Sequence, residues 1–181
     1  MIAKQNPCWM PGTTKCVEFV LNKDMVVFEW GSGASTQWLA DRVKFIYSVE
    51  HQRKWFETTS QYLAGHNNFN LALKQFNPIN DYVNTINEVG GKFDLIVIDG
   101  RHRVECFTEA LKHIKLNGYL LFDDIERIRY SSAKEALSEL PSLYFAGSLH
   151  KNCKFDDDPS GFTRQITGFY HYNKELFVKG Y

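Results

Sequence analysis

The stretch Val26-Val27-Phe28-Glu29-Trp30-Gly31-Ser32-Gly33-Ala34-Ser35-Thr36 decides the fold. Residues 25–29 are a short, nearly continuous apolar run, the pattern of a central parallel strand buried on both faces. Gly31 to Gly33 is a turn, and Ser35 and Thr36 are good N-cap residues for a helix that buries Trp38, Leu39 and Val43. Strand, glycine turn and helix in that order open a parallel sheet with crossover helices. Glycine belongs where a ligand touches the main chain, because a Cβ would block the approach. The turn also aims helix N–H groups at that ligand.

The alternation continues on both sides. Upstream, a short helix carries Val17, Val20 and Leu21 on its inner face. Downstream, residues 45–50 form the second strand, and a helix over 51–64 is closed by Gly65. A third strand over 70–76 is broken by Asn77-Pro78, and a helix over 81–89 ends at Gly90-Gly91. Residues 93–99 are the clearest strand in the chain. Val104, Phe107, Leu111 and Ile114 then recur at helical spacing, and Asn117-Gly118 is expected to end that helix. Lys112, His113 and Lys115 suit its negative terminus. A fifth strand over 119–123 and an amphipathic helix over 131–140, stopped by Pro141, come next. Two last strands, 143–149 and 163–172, are joined by a polar loop over 150–161, whose Asp156-Asp157-Asp158 run reads as a solvated tip.

A chain of 181 residues fits one domain with one core. We divide 1–181 into an N-terminal segment and helix (1–24), a ligand-binding core (25–140) and a C-terminal β-hairpin (141–181). Lys+Arg and Asp+Glu both number 21, and this balance argues against a general nucleic-acid binder. No apolar run is long enough for a bilayer and the N-terminus lacks a signal-peptide core, so no membrane partner is expected. Cys8, Cys16, Cys106 and Cys153 form no C-x-x-C pair, as suits a reduced cytoplasmic protein with free thiols.

Two ligands compete for the glycine turn. A dinucleotide site wants G-x-G-x-x-G, and its third glycine falls on Thr36. A site for S-adenosylmethionine (SAM) places an acidic residue two positions before the first glycine, where Glu29 stands; Ser35 replaces that pattern's third glycine. Glu50, 19 residues after Gly31, ends the second strand. There its carboxylate can accept hydrogen bonds from both ribose hydroxyls.

Glu29 to Thr36, Ser48-Val49-Glu50-His51, Ile98-Asp99-Gly100-Arg101-His102 and Asp123-Asp124 together resemble the class I SAM-dependent methyltransferases. The resemblance covers roughly residues 26–129 and is closest to small members with a Gly-Ser-Gly-x-Ser-Thr turn. It implies a Rossmann-like doubly wound α/β sheet of about seven strands, mostly parallel with the last strand antiparallel and helices on both faces. It also implies cofactor contacts from Glu29, Trp30, Gly31, Ser32, Gly33, Ser35 and Thr36 at the methionine portion. Glu50 would bind ribose, His51 would lie next to the adenosine, Phe76 and Asn77 would cover adenine, and Asp99 and Gly100 would follow at the fourth strand.

Methyl transfer needs nucleophile, methyl and sulfur in line and, for a hydroxyl acceptor, a group to take its proton. Asp99, Asp123 and Asp124 end two neighbouring strands. One expectation is a Mg²⁺-type site on these three oxygen ligands, as in cation-dependent relatives, which have Asp-Asn where this chain has Asp-Asp. The plain alternative is capping of strand and helix ends. His102 is the candidate general base, with Asp99 and Asp123 beside it as catalytic candidates. Arg101, Arg103, Arg127 and Arg129 are either anchors for an anionic acceptor or surface arginines. Trp9 and Trp30 are a lid or packing, and Trp38, Trp55 and Tyr62 are packing residues.

The leading expectation is O-methylation of a small-molecule or saccharide acceptor. Its pocket is either open or completed by a second copy in a homo-oligomer. A non-catalytic adenosine-cofactor module and an NAD-dependent oxidoreductase are the alternatives, because doubly wound sheets host many activities.

Overall fold

A strand that is apolar on both faces must be covered on both faces. β1 (Val26–Trp30) and β4 (Phe93–Ile98) are such strands. In the computed structural model, which describes residues 6–148 and 164–172, they pair in parallel near the centre of a seven-stranded sheet. β2 (Phe45–Glu50) and β3 (Phe69–Leu73) continue the sheet beyond β1. β5 (Ile114–Phe122), β7 (Arg164–His171) and β6 (Ser142–Ser148) continue it beyond β4. The order is β3-β2-β1-β4-β5-β7-β6, and β7 runs antiparallel to both neighbours. This is the expected α/β architecture, with the last strand inserted against the direction of the rest.

Alternate residues of each strand face opposite layers. Phe28, Trp30, Ile96, Ile98, Leu120 and Phe122 point to one core. That core is roofed by α4 (Ile79–Val83), α5 (Thr85–Val89), α6 (Arg103–His113) and α7 (Ser131–Ala136) through Tyr82, Ile86, Phe107 and Ala133. Val27, Leu95, Val97 and Leu121 point to the other core, under α1 (Pro11–Val20), α2 (Ala34–Ala40) and α3 (Arg53–Tyr62). Among the described residues no helix is long and apolar enough to cross a membrane.

Four local expectations are corrected. The helix over 81–89 divides at Asn84, where the Thr85 hydroxyl bonds the Asp81 carbonyl at 2.8 Å and competes with the helix ladder. The third strand ends at Leu73 rather than 76, because its partner β2 ends at Glu50 and Lys74 N–H takes the last carbonyl at 2.8 Å. α6 stops at His113, and Ile114 is extended and starts β5. Asn117, at φ +63, then lies inside β5 near a register shift, so Asn117-Gly118 marks a strand irregularity rather than a helix end. Trp55 is not a packing residue; it is 46% exposed on α3. The loop over 150–161 lies outside the described residues.

The parallel strands bring the turns after β1, β2, β4 and β5 to one edge. The connections of β1 and β4 leave in opposite directions there, which opens a crevice between adjacent strand ends.

Candidate functional site

The two glycines of the turn do different work. Gly31 sits at φ +94, and a Cβ added to it would lie 2.7 Å from the Gly100 main chain. Its N–H donates to the Val49 carbonyl at 2.9 Å. Gly31 therefore seals the turn after β1 against the turn after β4. Gly33 has extended backbone, and a Cβ there would meet nothing within 4 Å. Only Gly33 opens onto free space, so it is the glycine whose main chain a ligand can approach.

Beneath the turn lies Glu29, fully buried. Ser35 Oγ donates to its Oε1 at 2.5 Å, while Thr36 Oγ1 and Ser48 Oγ donate to its Oε2 at 2.5 and 2.7 Å. Burial raises its carboxyl to about 7, against the pull of these hydroxyls. Ser35 and Thr36 are not N-caps; Gly33 holds that position, and its N–H donates to Thr36 Oγ1 at 2.9 Å. Glu29, Ser35 and Thr36 thus brace the turn from behind, and their side chains do not reach the crevice. Trp30 is also withdrawn from the expected cofactor contacts: its indole is buried and donates to the Tyr82 carbonyl at 3.3 Å.

Glu50 is fixed by main-chain donors. His51 and Gln52 N–H each reach Oε1 at 2.8 Å, and Ser32 N–H reaches Oε2 at 3.0 Å. Ser32 Oγ bridges Glu50 and Thr59 at 3.4 and 3.2 Å. The carboxylate, only 3% exposed, is thereby held against the Ser32 main chain of the glycine turn. His51 stacks on Phe76 with ring centroids 4.3 Å apart, and Tyr82 and His102 meet Phe76 edge-on at 5.2 and 4.8 Å. Asn77 follows, exposed. This aromatic wall flanks Glu50 on the side where the resemblance puts adenine.

Across the crevice stand the aspartates. Arg103, buried at the start of α6, reaches Asp99 Oδ1 at 3.3 Å, Asp123 Oδ2 at 3.6 Å and Asp124 Oδ2 at 3.2 Å. Its Nε also donates to the Gly100 carbonyl at 2.9 Å. The three carboxylates do converge, but on this guanidinium, so the expected Mg²⁺-type set of Asp99, Asp123 and Asp124 does not fit a metal ion. Among the described residues no group of His, Cys, Asp or Glu is arranged to hold one. Burial and the neighbouring Asp123 push the Asp99 carboxyl up, against Arg103, and burial and Asp124 do the same to Asp123. For Arg103, burial alone would favour loss of the proton; the three carboxylates outweigh it and hold the charge.

Of the expected catalytic trio, Asp99 and His102 keep exposed surface at the edge where the parallel strands end. His102 precedes α6 in the left-handed region at φ +51, and the Asp99 side chain is 24% exposed. Asp123, 2% exposed, lies behind them with its Oδ1 accepting from Thr167 at 2.6 Å; this position withdraws it from contact with an acceptor. Arg127 is paired with Asp124 at 2.7 Å, Arg129 lies over Tyr130, and Arg101 is exposed at the rim. Sequence reading missed four supports: Ser48, Thr167, Tyr82 and the Trp9 indole, which donates to Asp99 Oδ2 at 3.2 Å. Ser48 had a signal, a polar residue in an apolar strand that pairs in register with Glu29.

Residues 28–125 match a family model described as a methyltransferase domain. Comparison with curated proteins gives no match. Among solved structures, the chain is similar to an rRNA methylase from Streptococcus thermophilus, with a TM-score of 0.63, 16% identity, and coverage of 96% of this chain and 99% of that one. It is also similar to the N-methyltransferase NodS from Bradyrhizobium japonicum WM9, with a TM-score of 0.57 and 15% identity over 84% and 88% of the two chains. A third similar structure is the O-methyltransferase TomG from Streptomyces achromogenes in complex with SAM, with a TM-score of 0.58 and 15% identity over 82% and 74%. At these identities the likeness shows a shared fold, and the three names differ in acceptor.

Proposed function

The chain belongs to the methyltransferase-domain family, and we propose that it transfers the methyl group of SAM to an oxygen of a small-molecule or saccharide acceptor. The observation that carries this reading is the open space at Gly33 beside a carboxylate, Glu50, already oriented by three main-chain N–H groups. That cradle suits a ligand with a diol to donate and a polar chain to lay on the turn. Glu50 accepts from the ribose hydroxyls, and the Ser32 to Gly33 main chain meets the methionine portion. His51, Phe76 and Asn77 flank adenine. When bound, SAM supplies an electrophilic methyl on a sulfonium.

Asp99 and Gly100 border the reacting side of the crevice. His102 takes the acceptor's proton, because a neutral imidazole carries one ring nitrogen that accepts. Arg101 and Arg129 at the rim suit an acceptor that carries an anionic group.

Calorimetric titration of the protein with SAM, S-adenosylhomocysteine and NAD tests the cofactor. Binding of both SAM-type ligands, lost in Glu50→Ala and absent for NAD, is expected. Failure to bind SAM, or tight binding of NAD, would overturn the proposal. In an acceptor screen, His102→Ala should lower turnover while leaving SAM affinity unchanged; full turnover would remove His102 as the base.

A further inference from the structure

We infer that Arg103 is the resident cation of this site, occupying among Asp99, Asp123 and Asp124 the position that a divalent metal ion would otherwise take, and holding Asp99 toward the crevice without metal. Three carboxylate oxygens surround the guanidinium at 3.2 to 3.6 Å. Three main-chain carbonyls complete the shell: Gly100 on Nε at 2.9 Å, Asp99 on Nη2 at 3.1 Å, and Asp123 on Nη1. Every hydrogen-bond and ion-pair partner named for it is an oxygen, the donor set that hard divalent cations also take, and the Tyr130 ring centroid lies 5.7 Å from the guanidinium carbon. The arginine side chain is 7% exposed, and those of Asp123 and Asp124 are 2% and 4% exposed. Carboxylates so buried and so close need a cation or a shared proton among them. Arginine supplies a cation that pH does not remove.

The network also has a direction. Asp99 is the one carboxylate of the three with substantial exposure, at 24%. Trp9 Nε1–H holds its Oδ2, and Arg103 holds its Oδ1. Arg103 thus ties the single crevice-facing carboxylate to the buried pair behind it. It is a positioning residue acting through Asp99, and that role rests on methyl transfer taking place at this edge.

The test uses Mn²⁺ as the probe, followed by electron paramagnetic resonance on the full chain without SAM. Its outcome is therefore separate from that of the cofactor titration. The wild-type chain should bind no stoichiometric Mn²⁺. Arg103→Met removes the one guanidinium that all three carboxylates share and leaves only Arg127 on Asp124, and it should bind one Mn²⁺ at least about 10-fold more tightly than wild type. Adding Asp124→Asn should abolish that site. Mn²⁺ should raise the melting temperature of Arg103→Met and not that of wild type. Arg103→Lys keeps a charge in place and should ignore Mn²⁺ as wild type does, which keeps the inference testable if the methionine variant fails to fold. A wild-type Mn²⁺ site lost in Asp99→Asn would overturn the inference. So would a folded Arg103→Met with no gain in Mn²⁺ affinity, or an Arg103→Lys that binds the ion.

Discussion

The two halves of the strand-end edge settle buried negative charge by different means. At the ends of β1 and β2, Glu29 is met by three hydroxyls and Glu50 by three main-chain N–H groups together with the ring of His51. Among the described residues, no arginine or lysine pairs with either. At the ends of β4 and β5, the aspartates are met by Arg103 and Arg127. A hydroxyl can donate or accept, so it tolerates a carboxyl that gains a proton. A guanidinium only donates, so it fixes the carboxylates it touches as acceptors. The first half is left electronegative, which favours a cationic sulfonium ligand. In the second half two guanidinium groups offset most of the charge of three carboxylates, and the network is built to hold still.

The sharpest way to break this contrast is to remove the guanidinium. Arg103→Met, with no metal present, takes the shared guanidinium from Asp99 and the buried Asp123 and Asp124 and should cost roughly 3–5 kcal/mol. Denaturant melts against wild type would read it. Ser48→Ala on the other half removes one of three hydroxyls from Glu29 and should cost only about 1 kcal/mol. Equal losses in the two variants would erase the distinction.

The seam between the halves should be nearly as sensitive. Gly31→Ala places a Cβ 2.7 Å from the Gly100 main chain and puts a non-glycine residue at φ +94. Overpacking and left-handed strain together should cost about 3 kcal/mol, a fall of roughly 10 °C in melting temperature for a chain of this size.

Protonation sharpens the comparison further. Glu29 titrates near 7 in the folded chain against an ordinary value of 4.5. Between these two values the unfolded chain has released a proton that the folded chain still holds. Stability therefore falls as pH rises through this window, by about 3 kcal/mol, and Glu29 adds no slope on either side of it. Glu29→Gln keeps an acceptor for the hydroxyls and has no proton to lose. Its stability, measured by denaturation at pH 5 and pH 8, should approach or pass that of wild type at the higher pH. Asp99 and Asp123 are shifted in the same direction and remain in both proteins, so the difference between the two curves isolates Glu29.

What could be read from the sequence follows from how local each signal is. β1, the glycine turn and Glu50 are legible because strand, turn and acidic strand end are each contiguous stretches. The end of α6 is not legible. Ile114 is buried at the next helical position, and burial is the same whether that residue closes a helix or opens a strand. The metal expectation failed for a related reason. The three aspartates stand out in the sequence, but Arg103 meets Asp123 across 20 residues through the pairing of β4 with β5. Asp99 is reached by Trp9 across 90 residues, which no local pattern announces. For Glu29 the pattern named the residue and missed its direction, because a motif fixes position along the chain and not which face of a strand a side chain takes.

The smallest expected effect separates the two glycines of the turn and returns to the first half of the edge. Gly33→Ala adds a methyl group where nothing stands within 4 Å, on extended backbone that any residue adopts. Stability should stay within about 0.5 kcal/mol of wild type. The methyl instead projects into the space assigned to the ligand, and SAM affinity measured by calorimetry should fall by about 10-fold, or roughly 1.4 kcal/mol. Gly31→Ala and Gly33→Ala thus form an opposed pair, one read in the melt and the other in the titration. A Gly33→Ala protein that melts early and binds SAM normally would mean that the open space lies outside the cofactor's path.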